Sequence, residues 1–96
     1  MTAYIVAQLT IHDRERYARY AAAFLPTLKP FGGRLLAADE APELMEGAWD
    51  HEKLNVIAFP DKAAARAWAA SAAYQAIAPD RLAASDAVVL LVEGFG

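Results

Sequence analysis

LNVIAFPDKAAARAWAASAAYQ, residues Leu54 to Gln75, reads as a strand running into a helix, and the rest of the chain is arranged around it. Leu54, Val56 and Ala58 point to one side of the strand, and Asn55, Ile57 and Phe59 to the other. Both sides are mostly apolar, so neither is built to face water. Pro60 stops the strand, because it lacks an N–H for the ladder and restrains the residue before it. Asp61 is placed to cap the helix, its carboxylate accepting from first-turn amides. Ala65, Trp68, Ala69 and Ala72 recur at helical spacing, a stripe with one large anchor. Ser71 re-caps a second segment, where Tyr74 and Ile77 start a new stripe that Pro79 is expected to limit.

Upstream, Ala3 to Ile11 alternates. Ile5, Ala7, Leu9 and Ile11 make an apolar face, and Tyr4, Val6, Gln8 and Thr10 a mixed one. Asp13 caps an amphipathic helix carrying Tyr17, Tyr20, Ala21, Phe24 and Leu28. Pro26 lies inside it, and a kink or break is expected there. Pro30 and Gly32-Gly33 end it, glycine suiting a left-handed C-cap. A second strand spans Gly33 to Ala38, with Arg34, Leu36 and Ala38 on one side. Leu44 to Gly47 is a candidate extension of it. The last strand, Ala87 to Glu93, has no polar face before Glu93.

The order is β-α-β-β-α-β in one domain, residues 1–96. Right-handed crossovers put both helices on one face of a four-stranded antiparallel sheet, in spatial order 4-1-3-2. The other face is still apolar. Leaving such side chains wet forgoes roughly 1.5–3 kcal/mol each, so a second copy packing sheet to sheet is expected. A chain of this size also buries only about 60–65% of its unfolded surface, which makes a partner useful.

Nine basic and twelve acidic side chains give a net charge of −3 with no basic run, which argues against nucleic acid. Without cysteine there is no disulfide or thiolate chemistry. MTAYIVAQLT lacks a signal-peptide pattern, and no apolar run approaches a bilayer span, so a soluble cytoplasmic protein is expected.

The spaced tyrosines of the first helix, Gly32-Gly33-Arg34-Leu35, Glu46-Gly47, Phe59-Pro60, Ser71-x-x-Tyr74-Gln75, Arg81 and Glu93-Gly94 occur in that order. Together they resemble the small bacterial family called domain of unknown function 1330, along essentially the whole chain. The resemblance implies an α+β, ferredoxin-like fold in the dimeric α/β-barrel superfamily. That superfamily includes cofactor-independent monooxygenases, haem-degrading enzymes, muconolactone isomerase-like proteins and stress-responsive proteins. The family itself has no settled activity.

Candidate ligand-binding residues are Gln8, Tyr17, Tyr20, Arg34, His51, Asn55 and Trp68. With the first strand beside the third, Gln8 and Asn55 are expected as neighbours on one face. Trp49, Asp50 and His51 arrive at the same end, with Tyr17 one turn into its helix. A polar group under an aromatic lid is a small-molecule site, though a Gln–Asn pair is also ordinary sheet chemistry. Arg34, expected toward the opposite end near Trp68, suits a ligand carboxylate, a place over an aromatic ring or a bond to a surface acid. Tyr17 and Tyr20 read as core residues or as donors to an enolate or carbonyl. Trp68 reads first as a core anchor.

His51 offers an imidazole of the kind used as a general base, but Asp50 and Glu52 beside it are sequential, as in a solvated loop, so no metal is expected. No Gly-rich phosphate loop, nucleophile elbow or Cys–His pair is present. The sequence therefore points to a homodimer that binds a small, partly apolar organic molecule between helices and sheet, with no cofactor. Two further readings stay open: a cofactor-independent oxygenase or isomerase acting on an aromatic or quinone-like substrate, and a purely structural dimerisation module.

Overall fold

The structure, a computed structural model, describes residues 1–96. Strand β1 (Ala3–Ile11) buries Ala3, Ile5, Ala7, Leu9 and Ile11 and leaves the alternate residues half-covered, as its alternation predicts. Helix α1 (Arg14–Leu28) starts at Asp13, whose carboxylate accepts from the Arg16 N–H at 3.1 Å, and buries Tyr17, Tyr20, Phe24, Thr27 and Leu28. A 3-10 turn at Lys29–Phe31 follows, and Gly32 closes it with φ 68°, the left-handed cap expected of glycine. Strands β2 (Arg34–Asp39) and β3 (Lys53–Phe59) come next. Helix α2 (Lys62–Ala70) is capped by Asp61, and α3 (Ala72–Ala84) by Ser71. Strand β4 (Ser85–Glu93) ends the fold. The sheet order is β2-β3-β1-β4 with every neighbour antiparallel, which is the topology read from the sequence.

Several local expectations change. Neither proline ends its helix: α1 runs past Pro26 and α3 past Pro79. Each proline is exposed, and the carbonyl four residues earlier belongs to an exposed residue, Ala22 or Gln75, so water can take the lost bond. Buried Thr27 and Leu28, and Ala78 and Ala84, hold the continuing turns against the core. Ala72 lies beyond the break at Ser71 and is exposed, so the α2 stripe stops short of it. Leu44 to Gly47 forms no strand; Met45 and Leu44 stand out into solvent. The register of β2 also shifts between Leu35 and Ala37, a bulge that puts exposed Leu36 out of the ladder. Ala38 therefore pairs with Asn55, on the face opposite to that of Arg34, rather than beside Arg34.

The helices cover one face of the sheet. Ile5, Ala7, Leu9, Ile57 and Phe59 meet Tyr17, Tyr20, Phe24, Ala65, Trp68, Tyr74 and Ala78 there in one core. The outer face is a grid of cross-strand rows. Val92, Tyr4, Ala58 and Arg34 form one row; Leu90, Val6, Val56 and Ala37 the next; Val88, Gln8, Leu54 and Asp39 the third.

An ion cluster joins α1 to α3. The Arg16 Nε donates to Asp80 Oδ1 at 2.8 Å, and Arg19 approaches the same oxygen at 3.6 Å. The Arg16 hydrogen bond, helped by the charges of Arg19 and Arg16 and opposed by partial desolvation, holds the Asp80 carboxyl below its ordinary pKa. A carboxyl whose pKa falls on folding stabilises the fold above its unfolded value, and that contribution is lost as pH drops through the folded value. Asp80→Asn is thus expected to be less stable than the wild type at neutral pH. The gap should close on acidification below about pH 4, read from urea midpoints across a pH series.

Candidate ligand-binding site

The structure divides the seven candidate residues between the two faces of the sheet. Gln8 pairs with Leu54, and Asn55 with Ala7, so Gln8 and Asn55 project to opposite sides. The expected same-face pair does not exist; an offset of one residue reverses the face. Gln8 lies on the outer face, where its Oε1 accepts from Trp49 Nε1 at 2.8 Å. His51 shares a 3.1 Å hydrogen bond with Thr10, and its ring is 6.0 Å from that of Trp49. Trp49 and His51 therefore reach the expected end of the sheet, on the side of Gln8 and not of Asn55. Glu52, beside His51 in sequence, is occupied by the Ile11 N–H at 2.7 Å.

Arg34 is exposed at the far end of the outer face, in the row of Tyr4 and Ala58. The sheet separates it from Trp68, and it lies over neither an aromatic ring nor an acid. Trp68 is the expected anchor, 4% exposed among Phe24, Phe59 and Tyr74.

Tyr17, Tyr20 and Asn55 do converge, on the helix side. Asn55 Nδ2 donates to the Tyr17 hydroxyl at 3.4 Å, while Asn55 Oδ1 is buried with no hydrogen-bond partner. Turning the amide over exchanges which of its groups is left idle but leaves one idle in either case. An unsatisfied buried polar group costs about 1–3 kcal/mol. Tyr20 and Tyr74 share a 3.1 Å hydroxyl hydrogen bond, and Arg81 Nε donates to Tyr74 at 3.3 Å. One hydrogen serves the bond between the two hydroxyls, so the other has no partner among these groups. Burial, reinforced by the neighbouring Tyr74 hydroxyl, pushes the Tyr20 pKa far up, which makes Tyr20 a hydrogen-bond donor and not a phenolate base.

Two cavities meet at this cluster. One of about 150 Å³ lies between α1 and the β2–β3 edge, lined by Tyr17, Tyr20, Phe24, Ala38, Lys53 and Asn55 among others. A second of about 150 Å³ shares Tyr20, Phe24 and Asn55 with it and extends to Trp68, Tyr74 and Arg81. A dry volume of about 150 Å³ is enough for a benzene ring. The bulge in β2 contributes to the first cavity, because it sets the small Ala38 opposite Asn55.

Lys53 was not singled out from the sequence. It is two residues before Asn55 on the same side of β3, 9% exposed, with its ammonium 5.1 Å from the Tyr17 ring centre. Starting the strand one residue earlier would have placed it, since Lys53 continues the alternation of Asn55, Ile57 and Phe59. Tyr74 and Arg81 stood in the family pattern but carried no site expectation, because nothing in their spacing shows that α3 folds back over Tyr20.

The fold and this helix-side cleft define a ferredoxin-like α+β protein with a partly apolar pocket under its first helix. The chain belongs to the family described as domain of unknown function (DUF1330), whose model matches residues 2–95. No curated protein matches it. Among solved structures it is similar to RPA0582 of Rhodopseudomonas palustris, a protein of unknown function, at 15% identity and TM-score 0.83, covering 99% of this chain and 83% of that one. It is similar to a dimeric ferredoxin-like protein of unknown function from Jannaschia sp. CCS1 at 16% identity and TM-score 0.71, with 98% and 100% covered. SnoaB of Streptomyces nogalater, a cofactor-independent oxygenase, matches at 20% identity and TM-score 0.64, with 99% and 94% covered. At these identities the likeness establishes the fold. No helix of the chain is long and apolar enough to cross a membrane.

Proposed function

We propose that this protein is a homodimer, joined through its outer sheet face, that binds a small aromatic molecule carrying a hydroxyl group in the cleft under α1. The observation that carries the ligand reading is the buried, unpartnered Oδ1 of Asn55, a residue that lines two apolar cavities. A hydroxyl both donates and accepts, so it completes Asn55 whichever way the amide is turned. The apolar outer face and the dimeric Jannaschia relative support the pairing.

Phenol and toluene are matched in size and test the ligand reading by calorimetry. Phenol is expected to bind about tenfold or more tightly, the ratio that follows from satisfying one buried polar group. In Asn55→Leu that preference should vanish. Ala38→Leu, which fills the first cavity from the β2 side, should weaken phenol binding while the fold persists by circular dichroism. Equal binding of both probes to the wild type, or a preference that survives Asn55→Leu, would refute the site.

A second reading adds turnover, favoured by the hydrogen-bonded run from Arg81 through Tyr74 to Tyr20 that ends in the same cleft. The fold shared with SnoaB makes cofactor-free oxygenation its natural form. Oxygen uptake with a dihydroxynaphthalene, present in the wild type and lost in Tyr20→Phe, would establish it; ligand binding without uptake leaves a binding protein.

A further inference from the structure

We infer that the cleft selects an anionic ligand, an aromatic carboxylate with a hydroxyl at its far end, and that Lys53 recognises the carboxylate by exchanging Glu40 for it. The inference rests on the proposed binding role of the cleft and names the chemical class of its occupant. A lysine is rarely buried in a strand unless it is paired, and Lys53 has a single carboxylate partner, the Glu40 oxygen at 2.8 Å.

That partner is unusual in being free to leave. Glu40 lies just past the end of β2 with its side chain 65% exposed, so on release its carboxylate returns to water. An ion pair with one member in water is weak, because solvent competes for it. The lysine, in contrast, is covered: its ammonium lies over the Tyr17 ring, and the residue lines both the first cavity and a more open outer chamber of about 250 Å³.

The outer chamber is bounded by Ile11, Arg14, Tyr17, Ala21, Glu40 and Lys53, two cations and one acid. Arg14 leans on Glu52 at 3.5 Å and is largely exposed, so it borders the entrance without closing it. An anion entering there meets Lys53 first and Asn55 beyond it. Two residues apart on one face of a strand, with Cα atoms about 6.6–6.8 Å apart, both line the first cavity. A ring with a carboxylate at one end and a hydroxyl at the other therefore has a partner for each group along the same cavity wall.

The probes are 4-hydroxybenzoate and its neutral analogue 4-hydroxybenzamide, titrated by calorimetry into the full chain. The wild type is expected to prefer the carboxylate by about tenfold or more, as one charge-assisted hydrogen bond gives. Lys53→Met keeps the length and apolar stem of the side chain and should bring the ratio to within about twofold. Glu40→Gln removes the internal competitor and should tighten 4-hydroxybenzoate by about threefold or more with 4-hydroxybenzamide unchanged. Equal binding of the two probes to the wild type would overturn anion selection while leaving the neutral hydroxyl site standing. Binding of neither would overturn the site along with it. A preference that persists in Lys53→Met, or weaker carboxylate binding in Glu40→Gln, would show that Lys53 and Glu40 form a structural pair and nothing more.

Discussion

Replacing Trp68 with alanine is expected to cost about 3–5 kcal/mol of folding stability, against a total of about 5–15 kcal/mol for a domain of this kind. Trp68 and Ala65 are the two buried residues of α2, so the indole is most of what holds that helix to the sheet. Its ring centre is 5.4 Å from Phe59 on β3, 5.9 Å from Phe24 on α1 and 4.1 Å from Tyr74 on α3, so one side chain joins three elements. Its Nε1 donates to the buried Thr27 hydroxyl at 3.0 Å, and Thr27 in turn donates to the Phe24 carbonyl at 2.7 Å. Truncation would therefore open a large void and remove a donor from a buried oxygen. Urea denaturation followed by far-ultraviolet circular dichroism avoids reliance on indole fluorescence. Trp68→Phe, which keeps an aromatic ring and loses the N–H, should cost markedly less. A loss below about 1 kcal/mol for the alanine variant would mean that Trp68 does not anchor α2.

The elements and their order were legible because the signals that define them are local. Alternation in Ala3 to Ile11, the caps Asp13, Asp61 and Ser71, and the stop at Pro60 act within a few residues, and the structure has all of them. That both helices continue past their prolines was not legible, because the cost of a proline depends on what surrounds the freed carbonyl. A proline on a wet helix face loses one bond to water; the same proline facing the core would have broken the helix. The bulge at Leu36 was not visible, since Leu35, Leu36 and Ala37 are interchangeable in a pattern of apolar residues. It alone decides that Ala38 faces Asn55.

The candidate site suffered from the same dependence on register. Gln8 and Asn55 lie at the same end of neighbouring strands, but pairing of Asn55 with Ala7 instead of Gln8 sends them to opposite faces. Arg34 is on the outer face for a comparable reason, paired with Ala58 in the row of Tyr4. Tyr17, Tyr20 and Asn55 survive as one cluster because each belongs to an element whose buried face was clear from its spacing. What completes it, Lys53, Tyr74 and Arg81, depends on one extra strand residue and on how α3 lies across α1, and neither leaves a periodic trace.

Leu90→Asp is expected to convert the proposed dimer into a folded monomer. Leu90 is 47% exposed at the edge of the middle row of the outer face, beside Val6, Val56 and Ala37. Val88 and Val92 flank it along β4, also 45% and 39% exposed, while Asp39, Arg34 and Gln8 occupy the outer rows. An apolar centre with a polar margin is the arrangement of a protein–protein interface. A two-fold axis presents the same patch from both copies, so each substitution enters the interface twice. Burying an unpaired carboxylate costs several kcal/mol per copy, enough to weaken a nanomolar pair to micromolar or beyond. Leu90 points away from its own helices, so the variant should keep its circular dichroism spectrum. Sedimentation equilibrium should give twice the 10.4 kDa chain mass for the wild type and the chain mass for Leu90→Asp. Val89, the next residue, faces the helix side at the edge of the second cavity, and Val89→Thr should leave the mass unchanged. A wild type that sediments as a single chain would refute the dimer, and a Leu90→Asp protein that stays paired would move the interface elsewhere. The ligand cleft lies on the other side of the sheet, so phenol binding should survive in the monomer, separating assembly from recognition in one variant.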